Sequence, residues 1–208
     1  MRSWCSGFFG GLRELLGPEP HLLNFYDQPD LLRAMCDDWL AFQIPMIELA
    51  TQEVEIDLFT IGEDIAYRNG AMISPAQFRD FLAPYYRRLV QVLKGCGVHQ
   101  VFLDTDGDFV ELIPEYLAVG FDGFQPVETQ AGMDVRDLRR AYPRVGLMGG
   151  VDKRQVYGPP GAIERDLHER IAPVVRQGGY IPALDHSVPR EASVEQYRHY
   201  LQVLKTIL

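Results

Sequence analysis

The chain contains few cysteines and no long apolar run. Cys5, Cys36 and Cys96 are the only cysteines among 208 residues, and no two of them form a CxxC pair. Such spacing predicts no disulfide framework, and a reducing cytoplasm is the expected location. No stretch of about 18 apolar residues occurs, so no membrane-spanning helix is expected.

Basic residues are also in the minority. The chain carries 20 lysines and arginines against 29 aspartates and glutamates, for a formal net charge of −9. Because an acidic surface repels phosphate backbones, a nucleic-acid partner is not expected. Hydrophobic residues make up 47% of the chain, so residues 1–208 are expected to form one globular domain with a sizeable core.

Short apolar runs alternate with helical patterns after residue 50. A helix is predicted to begin at Pro29 and to end or kink at Pro45, and residues 1–28 are interpreted as a short apolar segment and a loop. The predicted strands are 55–61, 100–103, 121–127, 145–148 and 180–184. The predicted helices between and after them are 74–94, 110–118, 135–142, 162–176 and 194–208. This alternation predicts a parallel sheet with right-handed crossovers.

The loops after the strands favour a closed barrel over an open sheet. An open doubly wound sheet usually has a Gly-rich turn after its first strand, and none is present. In a barrel, the loops after successive strands build the site, and here acidic residues follow strand after strand. An α/β fold of the TIM-type (β/α)₈ barrel is therefore predicted.

The number of strands indicates only part of such a barrel. A complete barrel has eight strands, and the pattern gives about five, so the chain is interpreted as a C-terminal portion. Three explanations remain open: the chain is a piece of a longer barrel, residues 1–50 contain a strand, or another subunit fills the gap. An open sheet exposes unpaired edges, and a homo-oligomer is expected.

The strongest chemical motif is the acidic run after the second predicted strand. Asp104, Asp106 and Asp108 lie in the sequence Asp-Thr-Asp-Gly-Asp. Carboxylates packed together raise one another's pKa, so such a group needs a cation or a shared proton. Glu128 and Asp185 follow later strands and are expected at the same barrel mouth. The alternative interpretation is a solvated turn, because Asp and Gly are common turn residues.

Other candidate residues follow the remaining strands. His186 comes directly after the last strand, where it would serve as a general acid or base or as a metal ligand, or would be structural. Asp152 and Lys153 follow Gly149-Gly150, and the lysine would hold a substrate carboxylate. Glu63 follows the first predicted strand. The alternative for these charged loops is ordinary solvation.

Several motifs together resemble the uroporphyrinogen decarboxylase superfamily. They are Met72-Ile-Ser-Pro75, Leu103-Asp104-x-Asp106-Gly-Asp108, Gly120-Phe-Asp-Gly123, Gly149-Gly-Val-Asp152 and Gly178-Gly-Tyr-Ile181 followed by Asp185-His186. That superfamily includes uroporphyrinogen decarboxylases, corrinoid-dependent methyltransferases and cobalamin-independent methionine synthases. The resemblance covers about residues 10–208 and implies the second half of a barrel.

The resemblance also implies where a metal would bind. In the methyltransferase branch, zinc is held by His-x-Cys at one strand end, with a Glu and a further Cys. Those positions fall on Asp104, Asp106, Glu128 and the Asp185-His186 pair, so the thiolates are gone. Oxygen ligands favour a harder ion than the thiolate zinc site does, and the implied ligands become Asp104, Asp106, Glu128 and His186.

Three functional hypotheses follow. The first is a methyltransferase-like enzyme that moves a methyl group between a small molecule and a corrinoid protein or similar acceptor. Its catalytic residues would be His186, Asp104 and Asp106, and its substrate-binding residues would be Glu63, Asp108, Asp152, Lys153 and Asp185. The second is a metal-free uroporphyrinogen decarboxylase, in which His186 contacts the tetrapyrrole. The third is a truncated, non-catalytic barrel that acts as a binding or assembly partner.

Overall fold

The computed structural model describes all 208 residues and contains eight strands and ten α-helices. The strands are β1 (Arg2–Ser6), β2 (Leu58–Gly62), β3 (Ala66–Tyr67), β4 (Gly70–Ala71), β5 (Gln100–Asp104), β6 (Gly123–Gln125), β7 (Gly146–Val151) and β8 (Tyr180–Leu184). The helices are α1 (Phe8–Leu16), α2 (Pro18–Asp27), α3 (Pro29–Glu53), α4 (Pro75–Gln77), α5 (Ala83–Gly95), α6 (Ile113–Ala118), α7 (Val135–Ala141), α8 (Ala162–Arg165), α9 (Ala172–Val175) and α10 (Val194–Ile207). Two π-helical segments, Phe78–Leu82 and Asp166–Ile171, join α4 to α5 and α8 to α9.

Six strands form one parallel sheet in the order β1-β2-β5-β6-β7-β8. The two remaining strands, β3 and β4, form a small antiparallel hairpin in the loop after β2. The order of the large sheet never reverses along the chain. Right-handed crossovers that always advance in one direction place every helix on the same face, as in a barrel and unlike a doubly wound sheet.

The sheet is curled, and a contact across its inner face shows this. Arg2 on β1 reaches Met148 on β7, with 3.8 Å between Nη1 and the thioether sulfur. Four strand spacings would separate these strands by about 19 Å in a flat sheet. The six strands therefore form most of a barrel wall, as the sequence predicts, and β1 and β8 are its free edges.

The strand count differs from the prediction by one. Residues 1–28 were expected to be an apolar segment and a loop, but Arg2–Ser6 is a strand whose register pairs Arg2 with Leu58 and Ser6 with Gly62. The possibility that residues 1–50 contain a strand is thus correct. The sheet has six strands of the eight that a full barrel requires.

The first long helix was predicted to end or kink at Pro45. It does not end there, because α3 continues through this proline to Glu53. The proline removes one backbone donor, which leaves the carbonyl of Ala41 without its helical partner. Both residues are exposed, so water can satisfy that carbonyl, and the cost is smaller than in a core.

Several strand boundaries also change, and the predicted strand 55–61 is Leu58–Gly62. The predicted strand 121–127 is reduced to Gly123–Gln125, whereas the predicted strand 145–148 extends to Val151. The Gly149-Gly150 pair was expected in a loop, but it lies inside β7, and its positive φ angles of 100° and 72° bend that strand. β7 therefore turns at the level of the cavity described below.

The core lies between the sheet and the outer helices. β5 has three consecutive buried residues, Val101–Leu103, as expected for a strand covered on both faces. Aromatic rings of α5, α6 and the adjoining π-helical segment pack on one another, with Phe78, Tyr86 and Tyr116 fully buried. None of the helices has the length and hydropathy required of a membrane-spanning segment.

Candidate active site

Three loops at the C-terminal ends of the strands bring Asp106, Glu128 and His186 together. One potential ligand atom from each side chain lies within 4.8 Å of the other two. His186 Nε2 is 3.2 Å from a carboxylate oxygen of Asp106. These loops follow β5, β6 and β8, so the group forms through the barrel geometry that the sequence predicts.

The Asp-Thr-Asp-Gly-Asp run has a structural role as well as a chemical one. Gly107 has a φ of 84° and donates its N–H to Glu128 Oε2 at 2.9 Å. A Cβ at this glycine would meet the carbonyl oxygens of Ala66 and Tyr67 in the β3–β4 hairpin. Glycine thus allows the hairpin to pack on the turn, and the turn then orients Glu128.

A cavity of about 500 Å³, here called the central cavity, opens beside this group. The side chains that line it include Arg2, Asp104, Asp106, Gln125, Pro126, Met148, Leu184, Asp185 and His186. Burial raises the pKa of Asp106, and the neighbouring His186 opposes that shift. A carboxyl group that is reluctant to ionise beside an imidazole is suited to hold a proton between the two.

Asp104 lies apart from the three-residue group. It lines the central cavity, but its carboxylate is not among the converging ligand atoms. Burial raises its pKa, while a hydrogen bond from Gln125 opposes the shift. Of the four implied ligands, the structure therefore brings three together and leaves Asp104 outside.

Asp185 ties three site loops together. Its side chain is fully buried, and one oxygen accepts hydrogen bonds from the Thr129 N–H at 3.1 Å and hydroxyl at 2.7 Å. The other oxygen accepts the Lys153 N–H at 3.2 Å. Both oxygens are thus used within the protein, and they fix the loops after β6 and β7 on either side of His186. Lys153 contributes its backbone here rather than its ammonium group.

Asp108 and Asp152 are also hydrogen-bonded within their own loops. Asp108 accepts the Val110 N–H at 3.1 Å, and Asp152 accepts the Arg154 N–H at 2.9 Å. Burial alone would raise the pKa of Asp152, but its hydrogen bonds with Arg154 and Gln155 outweigh burial and lower it. Neither carboxylate lines the central cavity, so their predicted substrate contacts stay predictions.

Glu63 lies beneath a neighbouring pocket of about 280 Å³ that Asp104 and Asp106 also line. Its carboxylate is at the start of α1, where Oε2 accepts the Gly10 N–H at 2.5 Å. Gly7 leaves the space for it, because a Cβ there would overlap the carboxylate. Burial raises the pKa of Glu63 to about 8, although the backbone N–H groups of α1 oppose the shift. Glu63 is therefore a buried acid adjacent to the site.

The backbone is strained next to two of these acids. Asp64 and Val127 have positive φ angles of 44° and 57°, and they are the only non-glycine residues that do. They follow Glu63 and precede Glu128, respectively. A β-branched residue such as Val127 adopts this conformation only when its surroundings hold it there. Strain of this kind clusters at functional sites.

Two polar side chains in the central cavity, Arg2 and Gln125, were not predicted from the sequence. Arg2 donates from Nη2 to Gln125 Oε1 at 3.0 Å, and Gln125 in turn contacts Asp104. Arg2 was missed because its strand was missed. Gln125 was missed because a glutamine inside a short strand carries no motif of its own.

The donor set fits a hard divalent cation better than a thiolate zinc site. Two carboxylates and one imidazole converge, which is the number of protein ligands in catalytic metal sites that keep an open position. None of the three cysteines lines the central cavity, and Cys5 instead lies against Gln43 of α3. Oxygen and imidazole donors suit magnesium, manganese, iron or zinc, whereas soft thiolate chemistry is not available here.

Known proteins similar to this chain agree with this architecture. A uroporphyrinogen decarboxylase from Anaeromyxobacter sp. is 29% identical over 114 residues, which cover 54% of this chain and 31% of that protein. One from Carboxydothermus hydrogenoformans is 25% identical over 138 residues, which cover 64% and 37%. The chain thus matches about a third of the length of these relatives.

The chain also resembles a solved structure and matches a described protein family. A methyltransferase from Methanosarcina mazei superposes on 99% of this chain and 57% of its own, with a TM-score of 0.71 and 18% identity. This likeness shows the fold and agrees with a partial barrel. The family described as uroporphyrinogen decarboxylase (URO-D) matches residues 17–207. That match spans most of the chain, and the chain therefore belongs to the uroporphyrinogen decarboxylase family.

Proposed function

We propose that this chain forms the catalytic half of a methyltransferase-like enzyme of this family, with a divalent cation held by Asp106, Glu128 and His186. The observation that carries the proposal is the convergence of these three side chains at the mouth of the barrel. Two other acids, Asp104 and Asp185, line the same cavity as Asp106 and His186. A cation there offsets the repulsion among the carboxylates.

The proposed reaction passes a methyl group from a heteroatom of a small molecule to a nucleophile on a corrinoid protein or similar acceptor. The heteroatom–carbon bond breaks, and its electron pair stays on the heteroatom. The new methyl bond uses an electron pair of the acceptor. A bound cation would supply Lewis acidity to such a heteroatom. When no cation is bound, the Asp106 carboxyl group and His186 Nε2, 3.2 Å apart, can instead share a proton.

The second candidate is uroporphyrinogen decarboxylation, which the names of the curated relatives favour. The charge of the site opposes it. A tetrapyrrole with several carboxylates needs several cations, and Arg2 is the single arginine or lysine lining the central cavity, beside Asp104, Asp106 and Asp185. Carbon dioxide release from uroporphyrinogen by the purified protein would support this candidate, and no release by the full-length protein would remove it.

Metal binding tests the first candidate. We expect the purified chain to bind one Co²⁺ or Mn²⁺. Calorimetry measures the binding of either ion, and the visible spectrum reports the binding of cobalt. His186→Ala and Glu128→Gln should each weaken binding on the order of 100-fold, because the loss of even an outer partner of a metal ligand costs 10- to 100-fold. The spectrum should contain no thiolate charge-transfer band.

Asp108→Asn is the matched control. It removes a carboxylate from the same loop as Asp106 but from outside the converging group. We expect its metal affinity to equal that of the wild type. Binding that is absent in the wild type, or that survives unchanged in His186→Ala, contradicts the proposed cation site.

A further inference from the structure

The guanidinium of Arg2 occupies the inner face of the barrel wall. Arg2 is the first residue of β1, and its side chain crosses the interior toward β6 and β7. Nε donates to the Thr60 hydroxyl at 3.3 Å, and Nη2 donates to Gln125 Oε1 at 3.0 Å. These contacts fix the plane of the guanidinium against the wall of the central cavity.

All the groups that hold Arg2 are neutral. Thr60 offers a hydroxyl, Gln125 an amide oxygen and Met148 a thioether sulfur, which is a weak acceptor. No ion pair includes Arg2, whereas Arg13 in the neighbouring pocket forms one with Asp64. The positive charge of Arg2 acts on Asp104 at longer range, but no carboxylate is in direct contact with its guanidinium.

The acids that share the cavity are engaged elsewhere. Asp185 is used by Thr129 and Lys153, Asp106 faces His186, and Asp104 is hydrogen-bonded to Gln125. Pro126, Met148 and Leu184 add an apolar wall to the same cavity. The cavity thus combines the guanidinium of Arg2, an apolar wall and the proposed reaction centre.

We propose that Arg2 is a specificity-determining residue that selects substrates with a single carboxylate on an apolar body. The proposal rests on the proposed function for the identity of the reacting end, which would lie at Asp106 and His186. The guanidinium presents parallel N–H donors that match the two oxygens of a carboxylate. Arg2 is the one arginine or lysine that lines the cavity, so a second carboxylate on the substrate would find no second basic side chain there.

Such a site should discriminate strongly by charge. A carboxylate replaces water on a guanidinium that the protein already holds in place, so little ordering is needed on binding. A neutral amide of the same shape gains no charge-assisted hydrogen bond. A site built around a polar partner rejects an analogue that lacks it far more strongly than an apolar site rejects a change of size.

Benzoate and benzamide are the probes that test the proposal. Titrations of the purified full chain, without added metal, should show benzoate binding at least 10-fold more tightly than benzamide. Arg2→Gln should lower benzoate affinity to that of benzamide. Arg190→Gln, which changes an arginine whose side chain is 95% exposed, should leave both affinities unchanged.

A second variant tests Arg2 without removing it. Gln125→Glu keeps the size of the side chain but places a carboxylate beside the guanidinium, so it should neutralise Arg2 internally and lower benzoate affinity at least 10-fold. This result remains decisive if Arg2→Gln fails to fold. The proposal is overturned if the wild type does not prefer benzoate, or if a folded Arg2→Gln or Gln125→Glu binds it as tightly as the wild type.

The result of the benzoate titrations is independent of whether the proposed cation site exists. Loss of benzoate binding in Arg2→Gln, together with no metal binding by the wild type, would support the role of Arg2 and remove the cation. Metal binding by the wild type with no preference for benzoate would support the cation site and remove the proposed role of Arg2.

Discussion

Replacement of Gly149 by alanine is expected to destabilise the protein by roughly 4 kcal/mol or more, a loss that is exceptional for a single methyl group. Gly149 has a φ of 100° within β7, and an added Cβ would overlap the carbonyl oxygen of Pro126. That oxygen is a backbone atom and accepts the Gly150 N–H at 2.8 Å. It therefore cannot move aside without breaking the contact between the β6 loop and β7.

Gly132→Ala is the matched control for this change. Gly132 also has a positive φ, of 87°, but nothing lies within 4 Å of the position of an added Cβ. The free energy of unfolding of its alanine variant should fall only by the cost of a left-handed backbone at alanine, about 1–2 kcal/mol. Urea unfolding of the two variants measures the difference. Equal losses would mean that backbone conformation, and not the approach of Pro126, requires the glycine in β7.

The Gly149 change should also affect the site. Pro126 belongs to the loop that carries Val127 and Glu128, so a displaced carbonyl displaces the third member of the converging group. The same purified variant should therefore bind Co²⁺ more weakly than Gly132→Ala does. This expectation connects a packing contact in the wall of the barrel to the geometry of the proposed cation site.

The strands could be predicted where both of their faces meet apolar groups. The residues of β2 and β5 form short buried runs between polar loops, and such runs are visible without a structure. β1 differs because its inner face lines a polar cavity and carries Arg2. Its five residues, Arg-Ser-Trp-Cys-Ser, therefore contain no apolar run, and only pairing with β2 makes them a strand.

The candidate site could be predicted in part for a related reason. In a barrel, loops after successive strands meet at one mouth, and this rule placed Asp106, Glu128 and His186 there together with Asp104, Asp108, Asp152 and Asp185. It does not say which carboxylate oxygens a loop uses for itself. The oxygens of Asp185 are taken by Thr129 and Lys153, and those of Asp152 by Arg154 and Gln155. Such local hydrogen bonds depend on loop backbone geometry, which sequence patterns do not contain.

Glu63 gives the second large expected effect, which is a pH-dependent change in stability. Its pKa is about 8 in the folded protein, because it is only 2% exposed and burial disfavours its charge. In the unfolded chain its pKa returns to the ordinary range near 4.5. Between pH 4.5 and about pH 8, Glu63 keeps a proton in the folded state that it releases in the unfolded state. The free energy of unfolding therefore contains a contribution from Glu63 that is present at low pH and is lost as the pH rises toward 8.

Glu63→Gln isolates this contribution, because the glutamine oxygen can still accept the Gly10 N–H while the side chain never ionises. We expect the variant to match the wild type near pH 5 and to exceed its stability near pH 9 by on the order of 4 kcal/mol. Urea unfolding at pH 5, 7 and 9 measures the difference, and Glu169→Gln, at an exposed position, controls for removal of a negative charge. Parallel pH profiles for wild type and Glu63→Gln would show that Glu63 is ionised in the folded protein throughout. A gap that opens with rising pH would instead place a neutral carboxyl group next to Asp104 and Asp106 at physiological pH, where it can donate a hydrogen bond rather than add another negative charge.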